Sequence, residues 1–228
     1  MGGGVEMSNL DLWSSVEKTN LDFVKKVNQR GGYTAICPQY QLKKATEKFG
    51  SYGKGFGLSE SNFDMSIYEY DGVVIHKAVF FYVLDGERCE FPISNAIQAA
   101  KTTQNGKYVD IDFAKKVETN TVSKALSKIG FNADVYLGLF EDDDYLFNLG
   151  NEQSIEKAAN KDEERARQAE ALSVDCERVI EQIESSKQLN AVEGLYKAMA
   201  RRLKDKDQKL LIKLTKAKDA AKERLSND

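Results

Sequence analysis

Hydrophobic residues recur at helical spacing in the first fifty residues of the chain. Over residues 9–27 this spacing predicts one amphipathic helix, ended by the glycine pair at residues 31–32. A second amphipathic helix is predicted over residues 40–49, with lysines on its polar side. Gly50 follows as a C-terminal stop, a position that favours glycine.

After the second predicted helix the hydrophobic period changes to two. Alternating β-prone runs cover residues 65–68, 73–84 and 88–93, separated by Asp71-Gly72 and Asp85-Gly86. An Asp-Gly pair between β-prone runs favours a tight hairpin, because glycine tolerates the positive φ that such turns need. Two turns of this kind predict a three-stranded antiparallel meander.

A polar loop is predicted at residues 101–107, and a helix closed by Gly130 at residues 110–129. Residues 1–150 are therefore predicted to form an α+β domain with a β-β-β-α core, an antiparallel three-stranded meander and flanking helices. Residues 151–228 are rich in charged residues and alanine, which predicts a charged linker near 151–170 and a C-terminal helical region. The predicted helices there span residues 152–185, 189–203 and 206–225.

Charge is unevenly distributed along the chain, whose formal net charge is −3. Residues 18–54 hold eight Lys or Arg against two acidic residues, and residues 201–228 hold ten basic against five acidic residues. Locally basic segments on a weakly acidic chain are compatible with a nucleic-acid partner. No apolar run approaches the roughly 18 residues of a membrane span, and we expect a cytoplasmic protein. Residues 1–6 are interpreted as an expression remnant preceding a natural start at Met7.

Residues that suggest catalysis are few. The three cysteines lie far apart without a CxxC pair, and His76, the one histidine, lies within a predicted strand. Nucleophile-elbow, zinc-protease and Walker motifs are absent. The glycine run at residues 53–57 follows a helix and precedes a strand, so it is interpreted as a tight backbone passage and not a phosphate loop. We therefore expect a non-enzymatic protein without a cofactor.

The acidic residues 141–144 leave one alternative open. Their carboxylates are candidate ligands for a divalent cation such as Mg²⁺, which would suit a metal-dependent nuclease with Asp142 in its site. The other interpretation is a solvated turn, because the spacing of a known calcium loop is absent.

One face of the helix predicted at residues 110–129 lacks acidic residues. Its apolar side carries Ala114, Val117, Ala125 and Ile129, as expected for packing on a core. A solvated face normally mixes charges, so a face without carboxylates suits a phosphate backbone. That opposite side carries Lys116, Asn120, Ser123, Lys124 and Ser127.

Aromatic residues alternate with lysines in the most basic part of the chain. Single-strand-binding proteins combine such cations with ring faces, and each stacked base contributes roughly 1–3 kcal/mol. Phe49 and Phe56 are expected in the core, and Tyr52 is expected at the surface. The rings of Tyr40, Tyr52 and Phe56 alternate with the candidate DNA-binding residues Lys43, Lys44, Lys48 and Lys54.

Three stretches together resemble phage single-strand DNA-annealing proteins, which are similar to the DNA-binding domain of the eukaryotic annealing protein Rad-fifty-two. The resemblance covers roughly residues 20–148 and depends on the order of the stretches. They are Phe23-Val-Lys-Lys-Val-Asn-Gln-Arg-Gly-Gly-Tyr33, Tyr40-Gln-Leu-Lys-Lys-Ala-Thr-Glu-Lys-Phe-Gly50 and Val117-Glu-Thr-Asn-Thr-Val-Ser-Lys-Ala-Leu-Ser-Lys-Ile-Gly-Phe-Asn-Ala-Asp-Val-Tyr-Leu-Gly138.

The resemblance implies assembly into rings or helical filaments, with a groove that holds the backbone of one strand while its bases face outward. Lys124 falls on a basic position of the family, whereas Ser123, Ser127 and Tyr40 stand where the eukaryotic relative is basic. Nearby lysines are candidates to compensate. They are Lys115, Lys116 and Lys128.

The function expected from this resemblance is ATP-independent annealing of complementary single-stranded DNA during phage recombination in a bacterial host. The expected partners are single-stranded DNA, the annealing duplex, further copies of the chain and, through the C-terminal helices, a single-strand-binding protein. Two alternatives remain open: a non-enzymatic oligomeric scaffold and, less favoured, the metal-dependent nuclease.

Overall fold

The structure is a computed structural model that describes residues 10–28, 32–104 and 106–226. The interpretation of residues 1–6 as an expression remnant lies outside these ranges. The chain divides into two compact units, Met1–Phe140 and Glu141–Asp228. The domain boundary predicted after residue 150 falls inside a helix, Asp143–Lys157, that belongs to the second unit.

The N-terminal segment is only partly helical. Helix α1 spans Asp11–Val16, a 3₁₀ turn spans Leu21–Phe23, and strands β1 (Val24–Val27) and β2 (Tyr33–Ile36) pair antiparallel. The single helix predicted over residues 9–27 is therefore wrong in its second half. There, two β-branched valines flank two exposed lysines, pairing with β2 makes the segment a strand, and Gly32 with φ +85° lies between the strands.

Helix α2 (Pro38–Phe49) confirms the second predicted helix, with Pro38 in its first turn. Gly50 ends the helix with φ +94° and donates its N–H to the carbonyl oxygen of Thr46. The glycine run beyond it is a tight backbone passage, as predicted. A Cβ on Gly55 would lie 1.9 Å from the carbonyl oxygen of Phe49, a distance that no side chain tolerates.

The predicted three-stranded antiparallel meander is present. Strands β3 (Phe56–Asp64), β4 (Val73–Leu84) and β5 (Glu87–Gln98) pair in the order β3-β4-β5. The predicted hairpin at Asp85-Gly86 is confirmed, since both residues have positive φ (+53° and +85°) and Leu84 pairs with Glu87.

The first strand of the meander lies earlier than predicted. The predicted strand at residues 65–68 is a turn that leads into helix α3 (Tyr68–Asp71), and Gly72 ends that helix in the left-handed region instead of forming a hairpin. Strand β3 is an edge strand with a buried start and an exposed stretch at residues 60–63, and backbone bonds hold it to β4. Its side chains therefore lack the alternation by which a half-buried strand is recognised.

The loop predicted at residues 101–107 is a hairpin of β6 (Ala100–Thr103) and β7 (Gly106–Val109). Helix α4 (Phe113–Lys128) follows, then the short α5 (Ala133–Tyr136) and a 3₁₀ turn at Leu139–Glu141. Helix α4 buries its apolar side against the meander, which completes the predicted β-β-β-α core. The core cluster includes Phe49, Phe56, Phe80, Ile93, Ala125, Leu126 and Phe131.

The second unit is entirely helical in the residues described. It contains α6 (Asp143–Lys157), α7 (Lys161–Ser185), α8 (Leu189–Leu203) and α9 (Gln208–Ser226). Helix α8 has the predicted bounds, and the predicted linker is helical. The long helix predicted over residues 152–185 is instead two helices, because Asn160 caps α7 by accepting the N–H groups of Asp162 and Glu163.

Candidate nucleic-acid interface

A cleft of about 340 Å³ lies between α2 and α4 in the first unit. Helix α2 contributes its N-terminal half and α4 contributes the side that carries Lys115, Glu118 and Ser123. Tyr52, from the turn between α2 and β3, completes the wall. The structure thus brings together two of the predicted DNA-binding residues, Tyr52 and Lys115, which are 63 positions apart in the sequence.

Tyr52 is 48% exposed, as expected from its sequence context, and packs edge-on against the buried Phe56 with ring centroids 5.3 Å apart. Partial burial raises the pKa of its phenol, and the nearby Glu118 carboxylate raises this pKa further. The ring is therefore neutral near pH 7. A half-exposed neutral ring at the edge of a cleft is able to stack against a nucleobase.

Tyr40 does not belong to the basic surface where the sequence had placed it. Its side chain is 8% exposed and stacks on Phe23 with ring centroids 4.6 Å apart. Phe49 and Phe56 are buried as predicted. Of the rings that alternate with lysines in the sequence, Tyr52 alone is exposed among the described residues.

The lysines of α2 differ in their partners. Glu47 pairs with Lys44 at 3.0 Å and lies 4.0 Å from Lys43. These exposed pairs are weak and compete with solvent, so both lysines remain available to an anion. Lys48 and Lys54 have no carboxylate partner in the described part of the chain.

An acidic residue that precedes α4 pairs with a lysine on the face of the helix that contains no acidic residues. Lys116 Nζ donates to both carboxylate oxygens of Asp110, at 2.7 and 2.9 Å. The bond lowers the pKa of Asp110 and raises that of Lys116, so both groups stay charged and their charges compensate. The helix face itself contains no acidic residue, but Asp110 compensates the charge of Lys116 on that face.

The other lysines of α4 lack such compensation. Lys124 Nζ donates to the carbonyl oxygen of Ser94 on β5 at 3.0 Å, a contact that leaves its positive charge unbalanced. Lys115 and Lys128 are exposed and have no ion-pair partner within residues 10–28, 32–104 and 106–226. Lys115 is the uncompensated cation that lies in the cleft.

Acidic residues limit how strongly the first unit attracts a polyanion. Residues 1–140 contain 16 Lys and Arg and also 16 Asp and Glu, so their formal charges cancel. Glu118 lies in the cleft beside the candidate residues. Attraction to phosphate must therefore be local, because it depends on where the cations lie and not on the net charge.

A buried polar network, which was not predicted, fixes the position of α2. Asp134 accepts the backbone N–H of Thr19 at 2.7 Å and the Thr19 hydroxyl at 2.5 Å. Asn132 donates to the Thr19 hydroxyl oxygen and accepts from Gln41 Nε2 on α2. All four side chains are at most 2% exposed. Because Gln41 also lines the cleft, the network ties one wall of the cleft to the segment after α4.

His76 is a buried structural residue of β4. Its Nδ1 lies 2.9 Å from the Thr121 hydroxyl, which itself donates to the carbonyl oxygen of Val117. Nδ1 is therefore the protonated nitrogen, and Nε2 accepts from the Ser61 hydroxyl at 2.8 Å. Burial lowers the pKa of the imidazole below its ordinary 6.5, although the Glu118 carboxylate opposes this shift.

The low pKa of His76 predicts that the first unit loses stability on mild acidification. The unfolded chain takes up the His76 proton near pH 6.5, and the folded chain takes it up only at lower pH. Stability from this residue is complete above pH 6.5 and declines as the pH falls towards the folded pKa. Urea unfolding followed by Trp13 fluorescence at pH 7.5, 6.5 and 5.5 measures the decline.

Replacing His76 removes this proton uptake. The His76→Gln variant is therefore expected to be less stable overall, but its free energy of unfolding should change less between pH 7.5 and 5.5. One proton changes the free energy of unfolding by at most about 1.4 kcal/mol per pH unit. Identical slopes for the two proteins over this range would contradict the assignment. Carboxylates titrate mainly below this window and contribute equally to both.

The acidic residues 141–144 serve as a helix start in the second unit. Asp142 caps α6 by accepting the N–H groups of Asp144 and Tyr145, and Asp144 lies 3.7 Å from Arg201. Among residues 10–28, 32–104 and 106–226, no three His, Cys, Asp or Glu side chains are grouped so as to hold a metal ion.

Comparison with known proteins gives no relative for this chain. No protein-family model matches it, and neither a curated protein nor a solved structure matches it. In the part of the chain that the structure describes, no helix combines the length and hydrophobicity that a bilayer span requires. The functional assignment therefore depends on the chain's own residues.

Proposed function

We propose that this protein binds single-stranded DNA and anneals complementary strands without a nucleotide cofactor, acting as a ring or filament of identical subunits in phage recombination. The observation that carries the proposal is the cleft between α2 and α4, where the half-exposed Tyr52 ring and the uncompensated Lys115 lie together. Exposed lysines on α2 and in the turn before β3 extend the basic surface. A cation beside an exposed ring is the combination that single-strand binders use.

Annealing makes few chemical demands on the protein. No covalent bond forms or breaks, so a catalytic residue is not required. Lysines reduce the repulsion between phosphates, the ring stabilises unstacked bases, and duplex formation supplies the free energy. If about six phosphates are contacted per subunit, the logarithm of affinity falls with the logarithm of salt concentration at a slope near −4.

The direct test mixes two complementary labelled oligonucleotides with the full chain, without nucleotide, and follows duplex formation. Sedimentation of the same samples gives the size of the assembly. Faster annealing by a large oligomer supports the proposal. A protein that assembles but neither binds nor anneals DNA at low salt is a scaffold, and magnesium-dependent cleavage that Asp142→Asn abolishes identifies a nuclease. Either result overturns the proposal.

Charge changes in the cleft are expected to alter single-strand affinity in opposite directions. Lys115→Gln removes an uncompensated cation and is expected to weaken binding about threefold to tenfold at low salt. Glu118→Gln removes the opposing carboxylate and is expected to strengthen binding by a similar factor. Fluorescence anisotropy of a labelled oligothymidine measures both.

Lys116→Gln is the matched control, because it removes an adjacent cation that Asp110 already compensates. We expect a smaller loss of affinity than for Lys115→Gln. If the two lysine variants bind equally and Glu118→Gln has no effect, the strand does not follow the cleft.

We propose the second unit as the docking site for a single-strand-binding protein. Its α6, α7 and α8–α9 turn enclose a cleft of about 610 Å³ lined by several arginines, where Arg202 lies over the ring of Phe147 at 4.6 Å. Arginine and aromatic residues are enriched where proteins bind one another. Phe147→Ala should abolish co-sedimentation with the host's single-strand-binding protein, and an unchanged interaction would exclude this site.

A further inference from the structure

The hairpin β6–β7 is exposed on both of its faces. Ala100 is buried at its base, but the described residues 101–104 and 106–109 are all exposed, and Tyr108 is 52% exposed. The base is anchored, since Gly72 accepts the N–H groups of Ala99 and Ala100 through its carbonyl oxygen. A two-stranded ribbon is marginally stable alone, and this one is held at its base while its two faces stay open to a ligand.

The hairpin belongs to a long segment of the first unit that contains no acidic residue. No Asp or Glu occurs from residue 91 to residue 109, a run that contains Lys101 and Lys107. Lys124 extends this surface, because its ammonium group contacts the carbonyl oxygen of Ser94 in the same run. A segment that offers cations, hydroxyls and amides but no carboxylate of its own complements a polyanion.

Each cation of the hairpin lies against a tyrosine ring. Lys101 Nζ is 5.7 Å from the ring centroid of Tyr108, and Lys107 Nζ is 5.9 Å from that of Tyr68. These distances are within the range of a cation–π interaction. A lysine next to an exposed ring offers a phosphate contact and a stacking platform for the same nucleotide.

The hairpin is joined to the cleft through the start of α4. Asp110, directly after β7, forms the bond to Lys116, and Lys115 is the neighbouring residue in the first turn of the helix. Only residues 110–114 therefore separate Lys115 from the end of the hairpin along the chain. The compensated pair Asp110–Lys116 lies between the two cationic positions.

We propose that the β6–β7 hairpin is a second contact for single-stranded DNA, in which Lys101 and Lys107 bind phosphates and Tyr108 stacks on a base. This inference rests on the proposed function and names an element of the binding surface that the cleft does not include. Its occupant is an unpaired strand and not a duplex, because the exposed ring needs a base face that stacking in a duplex would hide.

The test uses the full chain and a labelled thirty-nucleotide oligothymidine at several salt concentrations. Tyr108→Ala is expected to lower affinity about fivefold to a hundredfold, whereas Tyr108→Phe keeps the ring and is expected to bind like the unmodified protein. The double variant Lys101→Gln/Lys107→Gln is expected to reduce the magnitude of the salt slope by about 1.4. Both lysines are solvent-exposed, so this variant is expected to fold normally.

The outcomes separate this inference from the proposed function. If the unmodified chain binds oligothymidine and both the Tyr108→Ala and the double lysine variants bind equally well with an unchanged slope, the hairpin contact is excluded and the cleft remains. If the unmodified chain does not bind oligothymidine at low salt, both the proposed function and the hairpin contact are excluded. Hairpin variants that change the sedimenting assembly but not affinity would make the hairpin a contact between copies and overturn the inference.

Discussion

Replacing Asp134 by alanine is expected to lower the free energy of unfolding of the first unit by about 3–5 kcal/mol. The carboxylate is 2% exposed and accepts two hydrogen bonds from Thr19, one from its backbone N–H and one from its hydroxyl. Hydrogen bonds to a charged group contribute roughly 1.5–3 kcal/mol each, and alanine removes this charged acceptor from both buried donors. The loss also weakens the connection between the segment before β1 and the segment after α4, which other hydrogen bonds still join.

Urea unfolding followed by tryptophan fluorescence measures this effect, because the single tryptophan, Trp13, lies in the first unit. Asp134→Asn keeps the shape and one acceptor oxygen, so its loss of stability should be smaller than that of alanine. Glu87→Ala removes an exposed carboxylate from the same unit and should change little. Equal stability for Asp134→Ala and Glu87→Ala would show that the network does not hold the fold.

Replacing Gly55 by alanine is expected to cost about 3 kcal/mol or more, although it adds only a methyl group. The new Cβ would lie 1.9 Å from the carbonyl oxygen of Phe49 and 2.6 Å from its carbon. Gly55 cannot move away easily, since its N–H donates to the carbonyl oxygen of Ser51 and its own carbonyl oxygen accepts from Val83. Overpacking against fixed backbone is strongly destabilising.

Gly53→Ala is the matched control for this prediction, two residues away in the same turn. Its Cβ would meet nothing within 4 Å, so the expected cost is only the strain of its φ of +83°, about 1 kcal/mol. The measurement is again urea unfolding followed by Trp13 fluorescence. Two variants of equal stability would mean that the turn relaxes, and the close approach of Gly55 to Phe49 would then have no energetic weight.

The Gly55→Ala substitution is also expected to shift the side chain of Tyr52, because the two residues lie in one short turn. A Gly55→Ala protein that still folds is therefore expected to anneal more slowly under the proposed function. Gly53→Ala, with its open surroundings, should affect annealing less. This comparison links the backbone passage to the cleft.

Local patterns in the sequence determined most of the elements. Gly50 and the apolar spacing of residues 40–49 predicted α2, and Asp85-Gly86 predicted the β4–β5 hairpin. The composition after residue 151 predicted α8 with its observed bounds. These features depend on neighbours in the chain, namely helix periodicity and the φ that glycine allows. They are therefore present in the sequence itself.

Pairing between distant segments decided the elements that were mispredicted. Strand β1 became a strand through β2, and the polar β3 is an edge strand because its backbone bonds to β4, whatever its side chains prefer. The hairpin β6–β7 resembled a loop, since both its faces are exposed and polar. Backbone hydrogen bonds between strands do not require a particular pattern of side chains, so the sequence alone does not reveal them.

For the candidate interface, the sequence determined which cations and rings were available, and only the tertiary structure decided which of them act together. Folding buried Tyr40, compensated Lys116 with Asp110, placed Glu118 in the cleft and joined Tyr52 to Lys115. The physical reason is that the effective charge and exposure of a side chain depend on groups within a few ångströms. Those groups come from parts of the chain that the order of residues does not bring together.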